Sequence, residues 1–233
     1  MKLFINTGGK GTRLYPLTKD IPKPMVNICG KPILHYLVDW AKNNNIKEII
    51  MMNGYKAEKV IEYFKDGKEF EIDIKHSNEP QPLGSGGAIK FAKNYIDETF
   101  VYISGDLLCD IDLKKIIKFH KEKQGDMTIT LFQTDHPHDS DIIKIDKNNK
   151  VIKFISKHDN HAGAGNLSNS GLCIIEPKII ELMDKEIFTF ETEIYPKAIE
   201  KNLRILGYVT NEFIEDMGTP ERFKKCEEYF KSK

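Results

Sequence analysis

Apolar runs alternate with apolar residues at helical spacing along the first half of the chain, and this alternation constrains the fold more than any other feature. The run Leu3 to Ile5 is typical of a buried strand and precedes a glycine cluster. A helical pattern follows Pro32, and the run 49–52 indicates the next strand. Repeats of this kind form mostly parallel sheets covered by helices. We therefore predict an α/β, Rossmann-like fold with a mostly parallel, mixed sheet flanked by helices.

The pattern changes after about Gly125, where strands follow one another with fewer helices between them. The turn Lys147 to Asn149 predicts a hairpin, and Thr219-Pro220 is typical of a helix start. Without repeats or a flexible linker, the chain is expected to form a single domain of two halves, 1–125 and 126–233. Further strands are expected over 70–74, 100–103, 127–132, 142–145, 151–155, 172–175 and 205–209, and helices over 84–95, 178–183 and 192–201.

Composition excludes some classes of function. Lys plus Arg and Asp plus Glu are equal at 35 each, and this balance argues against a nucleic-acid partner. The four cysteines are scattered without a CxxC pair, which is typical of free thiols in a reducing compartment. We find neither a signal peptide nor an apolar stretch long enough to span a bilayer, so a cytoplasmic protein without a membrane partner is expected.

The glycine loop after the first strand is a candidate phosphate-binding element, because glycines let backbone N–H groups approach phosphate oxygens closely. It does not match the P-loop, since Lys10 stands between glycines and Thr12 follows Gly11. It does not match the dinucleotide fingerprint either, because Leu14 occupies the place of the last glycine and Asn53 follows the second strand instead of an acid.

Two cations and one acid accompany this loop. Arg13 lies within it, and Lys23 follows between two prolines that restrict its backbone. Asp106 follows another apolar run, Phe100 to Ile103. Because ligands bind beyond the carboxyl ends of parallel strands, we expect the loop and Asp106 to share one crevice. Cations near a phosphate loop suit polyphosphate chemistry.

The stretch GGKGTRLYPLTKDIPKPMV closely resembles the signature of the sugar-phosphate nucleotidyltransferases. Further segments resemble landmarks of that family in the same order: GKPILHY, PLGSGGAI, SGD, FISK, NSG and EDMGTPERF. The resemblance covers nearly the whole chain. It implies the nucleotide-diphospho-sugar transferase type of fold, with a nucleotide-binding half over 1–125 and a smaller sugar-phosphate-binding half over 126–233.

The resemblance also implies an activity: a sugar 1-phosphate attacks the α-phosphorus of a nucleoside triphosphate, and pyrophosphate leaves. Arg13 and Lys23 are then the catalytic cations, and Asp106 and Asp216 hold Mg²⁺, the implied cofactor. Nucleotide binding falls to Gly8, Gly9, Gly11, Thr12, Gly84, Ser85, Gly86 and Gly87. Sugar-phosphate binding falls to Lys157, Asn169, Gly171 and Glu193.

Each assignment has a structural alternative. Gly84 to Gly87 are also typical of a simple helix entry. Lys157 and Glu193 are equally compatible with exposed surface positions, and Asn169 to Gly171 with a simple turn. Asp216 lies among other acids and is compatible with a solvated acidic face.

The segments HPHDSD and EDMGTPERF resemble the manno-configured branch of the family. This favours GTP with D-glycero-D-manno-heptose 1-phosphate. The alternatives are a mannose-1-phosphate guanylyltransferase, a uridylyltransferase for N-acetylmuramate 1-phosphate, and a non-catalytic nucleotide-sugar sensor. A homodimer is compatible with the sequence. The spacing of His136, His138, His158 and His161 gives no tetrahedral zinc pattern and leaves these histidines without a role.

Overall fold

The structure, a computed structural model, describes residues 1–232. The chain forms two compact units, each built from separated stretches of sequence. Unit 1 contains Met1–Pro82, Ile103–Ile111 and the stretch from Glu212 onward, and unit 2 contains Leu83–Tyr102 and Asp112–Asn211. The sequence pattern instead changes near residue 125, and the assignment of nucleotide and sugar to the halves 1–125 and 126–233 stays a prediction.

Strands and helices alternate along the chain as follows. The strands are β1 (Leu3–Asn6), β2 (Asn27–Ile28), β3 (Lys31–Pro32), β4 (Glu48–Asn53), β5 (Asp73–Asn78), β6 (Phe100–Ser104), β7 (Leu107–Cys109), β8 (Met127–Gln133), β9 (Ile142–Ile145), β10 (Val151–Ile155), β11 (Leu167–Ile175), β12 (Ile205–Val209) and β13 (Ile214–Asp216). The α-helices are α1 (Ile33–Asn43), α2 (Ala57–Phe64), α3 (Gly84–Phe91), α4 (Leu113–Glu122), α5 (Phe190–Glu200) and α6 (Pro220–Lys231).

Unit 1 is organised around the parallel strands β1, β4 and β5, with Leu3 paired to Ile49 and Ile49 paired to Ile74. The side chains from Leu3 to Ile5 are fully buried, as are those from Ile49 to Met51. Continuous apolar runs of this kind are needed where a parallel strand is covered on both faces. A separate antiparallel pair, β7 with β13, joins two distant parts of the chain.

The carboxyl ends of the unit 1 strands carry polar residues that bond to one another. The hydroxyl of Thr7, just after β1, donates to Asn53 Oδ1 at 2.7 Å, and Asn53 Nδ2 donates to Asn78 Oδ1 at 2.9 Å. Gly105 N–H, just after β6, donates to the main-chain oxygen of Asn6 at 2.9 Å. These bonds hold the loops after the strands along one edge.

Unit 2 contains a mixed sheet in the order β12-β8-β11-β9-β10. The β8–β12 pair is parallel and the other pairs are antiparallel. Helix α4 begins after Asp112, whose carboxylate accepts the N–H of Lys114 at 3.0 Å. The predicted hairpin is confirmed, because β9 and β10 pair antiparallel with Ile145 opposite Val151.

The predicted α/β class with a mostly parallel, mixed sheet is confirmed, and one local prediction is wrong. Phe70 lies in a 3₁₀ turn, Lys68–Phe70, and strand β5 begins only at Asp73. The alternation at 70–74 is therefore produced by a turn followed by a strand. The helix predicted over 178–183 is present as a 3₁₀ helix, Pro177–Leu182. All four cysteines are free thiols, as predicted.

Within residues 1–232, no helix combines the length and the apolar character that crossing a membrane requires.

Candidate active site

The glycine loop after β1 is held by bonds from the segment that follows it. Gly9 O accepts the N–H of Lys23 at 3.2 Å, and Gly11 O accepts the hydroxyl of Thr18 at 2.9 Å. Gly11 has a φ of 64°, and a Cβ there would lie 2.8 Å from the Cβ of Lys23, so a side chain is excluded. The Cβ position of Gly9, by contrast, has no atom within 4 Å. The loop therefore has a fixed backbone and an open face.

Lys23 lies in the 3₁₀ turn Lys23–Met25, which begins after Pro22. Its side chain is 9% exposed, and its ammonium forms an ion pair with Asp106 Oδ2. Pro22 and Pro24 restrict the backbone on both sides of the lysine, as expected from the sequence. The Lys23 ammonium is thus directed toward Asp106, the acid that follows β6.

Asp106 and Asp216 are brought together by the β7–β13 pair. Asp216 lies opposite Leu107, and the N–H of Met217 donates to Asp106 O at 3.1 Å. The Asp216 carboxylate accepts the N–H of Gly218 at 2.6 Å and a guanidinium N–H of Arg222 at 2.7 Å. The two acids that sequence analysis assigned to a metal therefore occupy neighbouring positions, and each is accompanied by a cation.

Arg13 belongs to the 3₁₀ turn Thr12–Leu14 at the end of the glycine loop and is exposed, as is Thr12. Its Nη2 lies 3.3 Å from the position that a Cβ on Gly218 would occupy, so the guanidinium reaches the turn after Asp216. Unit 1 therefore gathers the predicted phosphate loop, both predicted catalytic cations and both predicted metal ligands.

The donor set of the two acids fits Mg²⁺. Magnesium is commonly bound by one or two carboxylates together with substrate phosphate oxygens and water. Within the described part of the chain, no group of three or more His, Cys, Asp or Glu side chains is arranged to hold a metal. A pair of carboxylates, each balanced by a cation, matches a site that phosphate oxygens of a substrate complete.

Glu79 is a polar residue of this region that sequence analysis missed. It follows β5, and its N–H donates to Asn53 O at 2.9 Å. Its Oε1 lies 3.0 Å from the Cβ position of Gly8 and would overlap a Cβ on Gly54. A carboxylate therefore lies against two glycines at the start of the phosphate loop. The position of Glu79 directly after a strand could have identified it, but the sequence did not show that β5 ends at Asn78.

The glycines of the second predicted nucleotide loop are explained by packing inside unit 2. A Cβ on Gly86 would overlap the ring of Phe188, and a Cβ on Gly84 would lie 2.5 Å from the main-chain oxygen of Phe188. A Cβ on Gly87 would overlap the main-chain oxygen of Glu186. The N–H groups of Gly86 and Gly87 point to Phe188 O at 3.1 and 3.3 Å. Packing alone thus accounts for these glycines, and their nucleotide-binding role stays a prediction.

Asp141 connects the predicted sugar-phosphate residues. Its Oδ1 accepts the N–H of Lys157 at 2.8 Å, and its main-chain oxygen accepts the N–H of Asn169 at 3.0 Å. Asn169 Oδ1 in turn accepts the N–H of Gly171 at 3.1 Å, within an irregularity of the β11–β8 pairing. In the sequence, Asp141 was considered only as part of the segment HPHDSD, and its function as a connector was missed.

Glu191 and Glu193 differ in their surroundings. Glu193 Oε1 accepts from Lys185 at 2.7 Å, and this bond lowers the pKa of Glu193. Glu191 is partly buried and accepts from the hydroxyl of Ser85 at 2.9 Å. Burial is the largest cause that raises the pKa of Glu191, and the charge of Asp141 adds to it. Glu193, which was predicted to contact the sugar, is thus paired with Lys185 and Lys197. Glu191 instead bonds to Ser85 and interacts electrostatically with Asp141 and Lys157.

Comparisons with known proteins agree with the fold and show the family. The family model described as nucleotidyl transferase matches residues 3–232. The D-glycero-alpha-D-manno-heptose 1-phosphate guanylyltransferase of Campylobacter jejuni is 34% identical over 225 residues, which is 96% of this chain and 97% of the relative. Mannose-1-phosphate guanyltransferase 2 of Candida glabrata is 31% identical over 96% of this chain, but the chain spans only 63% of that relative.

Solved structures of similar proteins have the same fold. HddC from Yersinia pseudotuberculosis superposes with a TM-score of 0.85 at 33% identity, covering 98% of this chain and 99% of HddC. Its complex with GMP-PN superposes with a TM-score of 0.84. A putative glucose-1-phosphate thymidylyltransferase from Bacillus anthracis has a TM-score of 0.87 at 19% identity over 98% of this chain and 94% of that chain, which supports the fold. This chain belongs to the nucleotidyl transferase family.

Proposed function

We propose that this protein is a sugar-1-phosphate guanylyltransferase that joins GTP to D-glycero-D-manno-heptose 1-phosphate and releases pyrophosphate. The observation that carries the proposal is the convergence of Arg13, Lys23, Asp106 and Asp216 around an open glycine loop within unit 1. The name of the heptose 1-phosphate relative supports the choice of base and sugar, and the complex of HddC with GMP-PN supports the choice of base.

The reaction needs charge neutralisation more than acid–base catalysis. An oxygen of the sugar phosphate is already anionic and attacks the α-phosphorus, forming a P–O bond. The bond from the α-phosphorus to the bridging oxygen breaks, and its electron pair leaves with pyrophosphate. Two unit charges ~4 Å apart repel by roughly 4 kcal/mol at an effective dielectric of about 20. Positioned cations offset this repulsion and stabilise the transition state.

We assign the roles of the unit 1 residues accordingly. Arg13 binds the triphosphate and the leaving pyrophosphate, while Gly9, Gly11 and Thr12 present the loop backbone to the phosphates and Gly8, beside Glu79, faces another part of the nucleotide. Lys23 bridges the reacting phosphates, for which it must exchange part of its pairing with Asp106. Asp106 and Asp216 hold Mg²⁺, which, when bound, neutralises phosphate charge as a hard Lewis acid.

Glu79 supports guanine as the base. A carboxylate repels a nearby triphosphate. The position of the Glu79 carboxylate against Gly8 therefore suits a part of the nucleotide that donates hydrogen bonds. Guanine presents two adjacent donors, N1–H and the 2-amino group, which match the two oxygens of a carboxylate. Adenine, uracil and cytosine lack that pair.

The sugar phosphate is assigned to residues of unit 2. Lys157 supplies a cation for the phosphate, and Asn169 and Gly171 form the turn that contacts the sugar. We propose Glu191, in place of the predicted Glu193, as the acceptor for sugar hydroxyls, because Glu193 already pairs with Lys185 and Lys197. Ser85 then orients Glu191.

A substrate panel tests the proposal. The purified chain is incubated with Mg²⁺, each of four nucleoside triphosphates and a set of sugar 1-phosphates, and pyrophosphate release is measured. The expected result is fastest release with GTP and the manno-heptose 1-phosphate. Preference for UTP with an N-acetylated sugar would contradict the substrate assignment, and preference for mannose 1-phosphate would move it to the nearest alternative. Absence of release in every combination would favour a nucleotide-sugar sensor.

Location and assembly remain part of the proposal. A cytoplasmic site of action would give access to nucleoside triphosphates, and a homodimer is proposed on the sequence alone. Light scattering at several concentrations tests the dimer, and a strict monomer would contradict it.

A further inference from the structure

His161, in the loop after β10, has both ring nitrogens at hydrogen-bond distance from backbone carbonyl oxygens. Nδ1 lies 2.6 Å from Pro137 O, and Nε2 lies 2.8 Å from Ser156 O. Carbonyl oxygens accept hydrogen bonds and never donate them. Both ring nitrogens must therefore carry a proton if both contacts are hydrogen bonds.

A neutral imidazole has one N–H and one unprotonated nitrogen, whereas the imidazolium cation has two N–H groups. The neutral ring can therefore donate to Pro137 O or to Ser156 O, but it turns a lone pair toward the other oxygen. The arrangement in the structure is complete with the imidazolium form. Hydrogen bonds from a charged donor are also about twice as strong as neutral ones.

The two segments that His161 joins both lead into the proposed sugar-phosphate site. Pro137 begins the 3₁₀ turn Pro137–Asp139, shortly before Asp141, and Ser156 directly precedes Lys157. Asp141 in turn binds the N–H groups of Lys157 and Asn169. The two bonds of His161 thus restrict the relative position of the segments on which Lys157 depends.

We propose that His161 is a positioning residue for sugar 1-phosphate binding, and that its contacts with Pro137 O and Ser156 O form a clasp that holds the segment of Lys157 in place. The inference rests on the proposed function for its substrate. His161 touches no reacting atom in this account and acts through Lys157 and Asp141.

Other titratable groups surround His161. On the 3₁₀ turn, the His138 ring lies 6.3 Å from that of His161, and Asp139 is next to it. On the loop of His161 itself, Asp159 accepts the N–H of Ser156 at 2.9 Å, and His158 is adjacent. On β9, Lys144 donates to Gly163 O at 2.8 Å. Because the His138 ring lies beside that of His161, a variant of His138 belongs in the test.

The decisive comparison is between wild type and His161→Gln, because a glutamine amide can donate to one carbonyl but cannot bridge both from two separate nitrogens. We measure KM for the sugar 1-phosphate, KM for GTP and kcat of both proteins. We expect the variant's KM for the sugar 1-phosphate to be about tenfold higher, because losing one of the two bonds loosens the segment of Lys157. The kcat and the KM for GTP should stay within about twofold.

His138→Gln is the matched control, since it removes a neighbouring ring without removing either bond. It should leave kcat and both KM values within about twofold of wild type. A His161→Gln variant that keeps the wild-type KM for the sugar 1-phosphate, or that is impaired equally in kcat and in both KM values, would overturn the proposal.

A second readout separates this proposal from the proposed function. If wild type releases no pyrophosphate with any substrate, the guanylyltransferase assignment fails while the clasp is still tested by amide hydrogen exchange. We expect faster exchange over residues 135–141 in His161→Gln than in wild type. Unchanged exchange in His161→Gln would overturn the clasp even if the enzyme is active.

Discussion

Asp106 and Asp216, distant in sequence, lie on neighbouring strands, with Asp216 opposite Leu107 and the N–H of the following Met217 bonded to Asp106 O at 3.1 Å. Lys23 pairs with the first acid and Arg222 with the second. Without a metal, these cations balance the two carboxylates. With a substrate present, the same acids can share a divalent cation with its phosphates, so metal binding and nucleotide binding should depend on each other.

Lys23→Met should reduce kcat at least about 100-fold, because the proposed role of the ammonium is to stabilise charge in the transition state. The methionine keeps the aliphatic stem that packs against Gly11. The side chain of Asp106 is 30% exposed and remains hydrated, so the melting temperature should change by only a few degrees. Lys19→Met, at an exposed position of the same segment, is the control. Near-normal turnover of Lys23→Met would remove the lysine from the mechanism.

Alanine substitutions at Gly9 and Gly86 should separate binding from packing. Gly86→Ala places a methyl group into the Phe188 ring and should destabilise the protein by about 1–3 kcal/mol in chemical denaturation. Gly9→Ala meets no atom within 4 Å, so its stability should be unchanged while its KM for GTP rises. If Gly86→Ala is as stable as wild type, the packing explanation for the second glycine loop is wrong.

Glu191→Gln should change both stability and sugar binding. Because burial raises the pKa of Glu191 above its unfolded value, the folded state favours the protonated form. The stability that this group contributes is therefore present below its unfolded pKa and is lost as the pH rises through the folded pKa. Without ligand, the variant should be more stable than wild type at pH 8, by about 1 kcal/mol, with the difference shrinking toward pH 4 to 5.

The same variant should raise KM for the sugar 1-phosphate about tenfold, since it removes a charged hydrogen-bond acceptor. Glu193→Gln is its matched control: Lys185 bonds to Glu193, so we expect little effect on the sugar KM. The reverse result, with Glu193→Gln impaired and Glu191→Gln normal, would restore the assignment made from the sequence.

Glu79→Gln should weaken discrimination between GTP and ITP, which lacks the 2-amino group of guanine. A carboxylate that accepts two donors from the base is worth about 10- to 100-fold in selectivity. We expect kcat/KM for GTP to fall while that for ITP changes less. A loss of discrimination between GTP and 2′-deoxy-GTP, with the GTP-to-ITP ratio unchanged, would instead place Glu79 at the ribose.

The parts of the site carried by short, ordered motifs could be predicted from the sequence. Arg13 and Lys23 lie in one specific stretch, and Asp106 and Asp216 each stand in a recognisable segment. Their pairing across β7 and β13 could not be read from periodicity, because three-residue strands have no period to measure.

Residues whose importance comes from tertiary neighbours were missed. Glu79 depends on the approach of Gly8 and Gly54, and Asp141 on two bonds to distant segments. Glu191 and Glu193 are two residues apart on one helix, so the sequence offered no reason to prefer the one that faces Ser85. The glycines at Gly84 to Gly87 were attributed to a ligand because Phe188 could not be foreseen as their neighbour.

The most direct test of the central claim is Mg²⁺-dependent pyrophosphate release from GTP and D-glycero-D-manno-heptose 1-phosphate by wild type, Asp106→Asn, Asp216→Asn and the double variant. Asp110→Asn is the control: the Asp110 carboxylate accepts a hydrogen bond from the Tyr229 hydroxyl at 3.0 Å, and we assign it no part in metal binding. Our account predicts release by wild type and by the control, and a loss of at least about 100-fold in each of the other variants at nearly unchanged melting temperature. Normal release by the Asp106→Asn, Asp216→Asn double variant would contradict it.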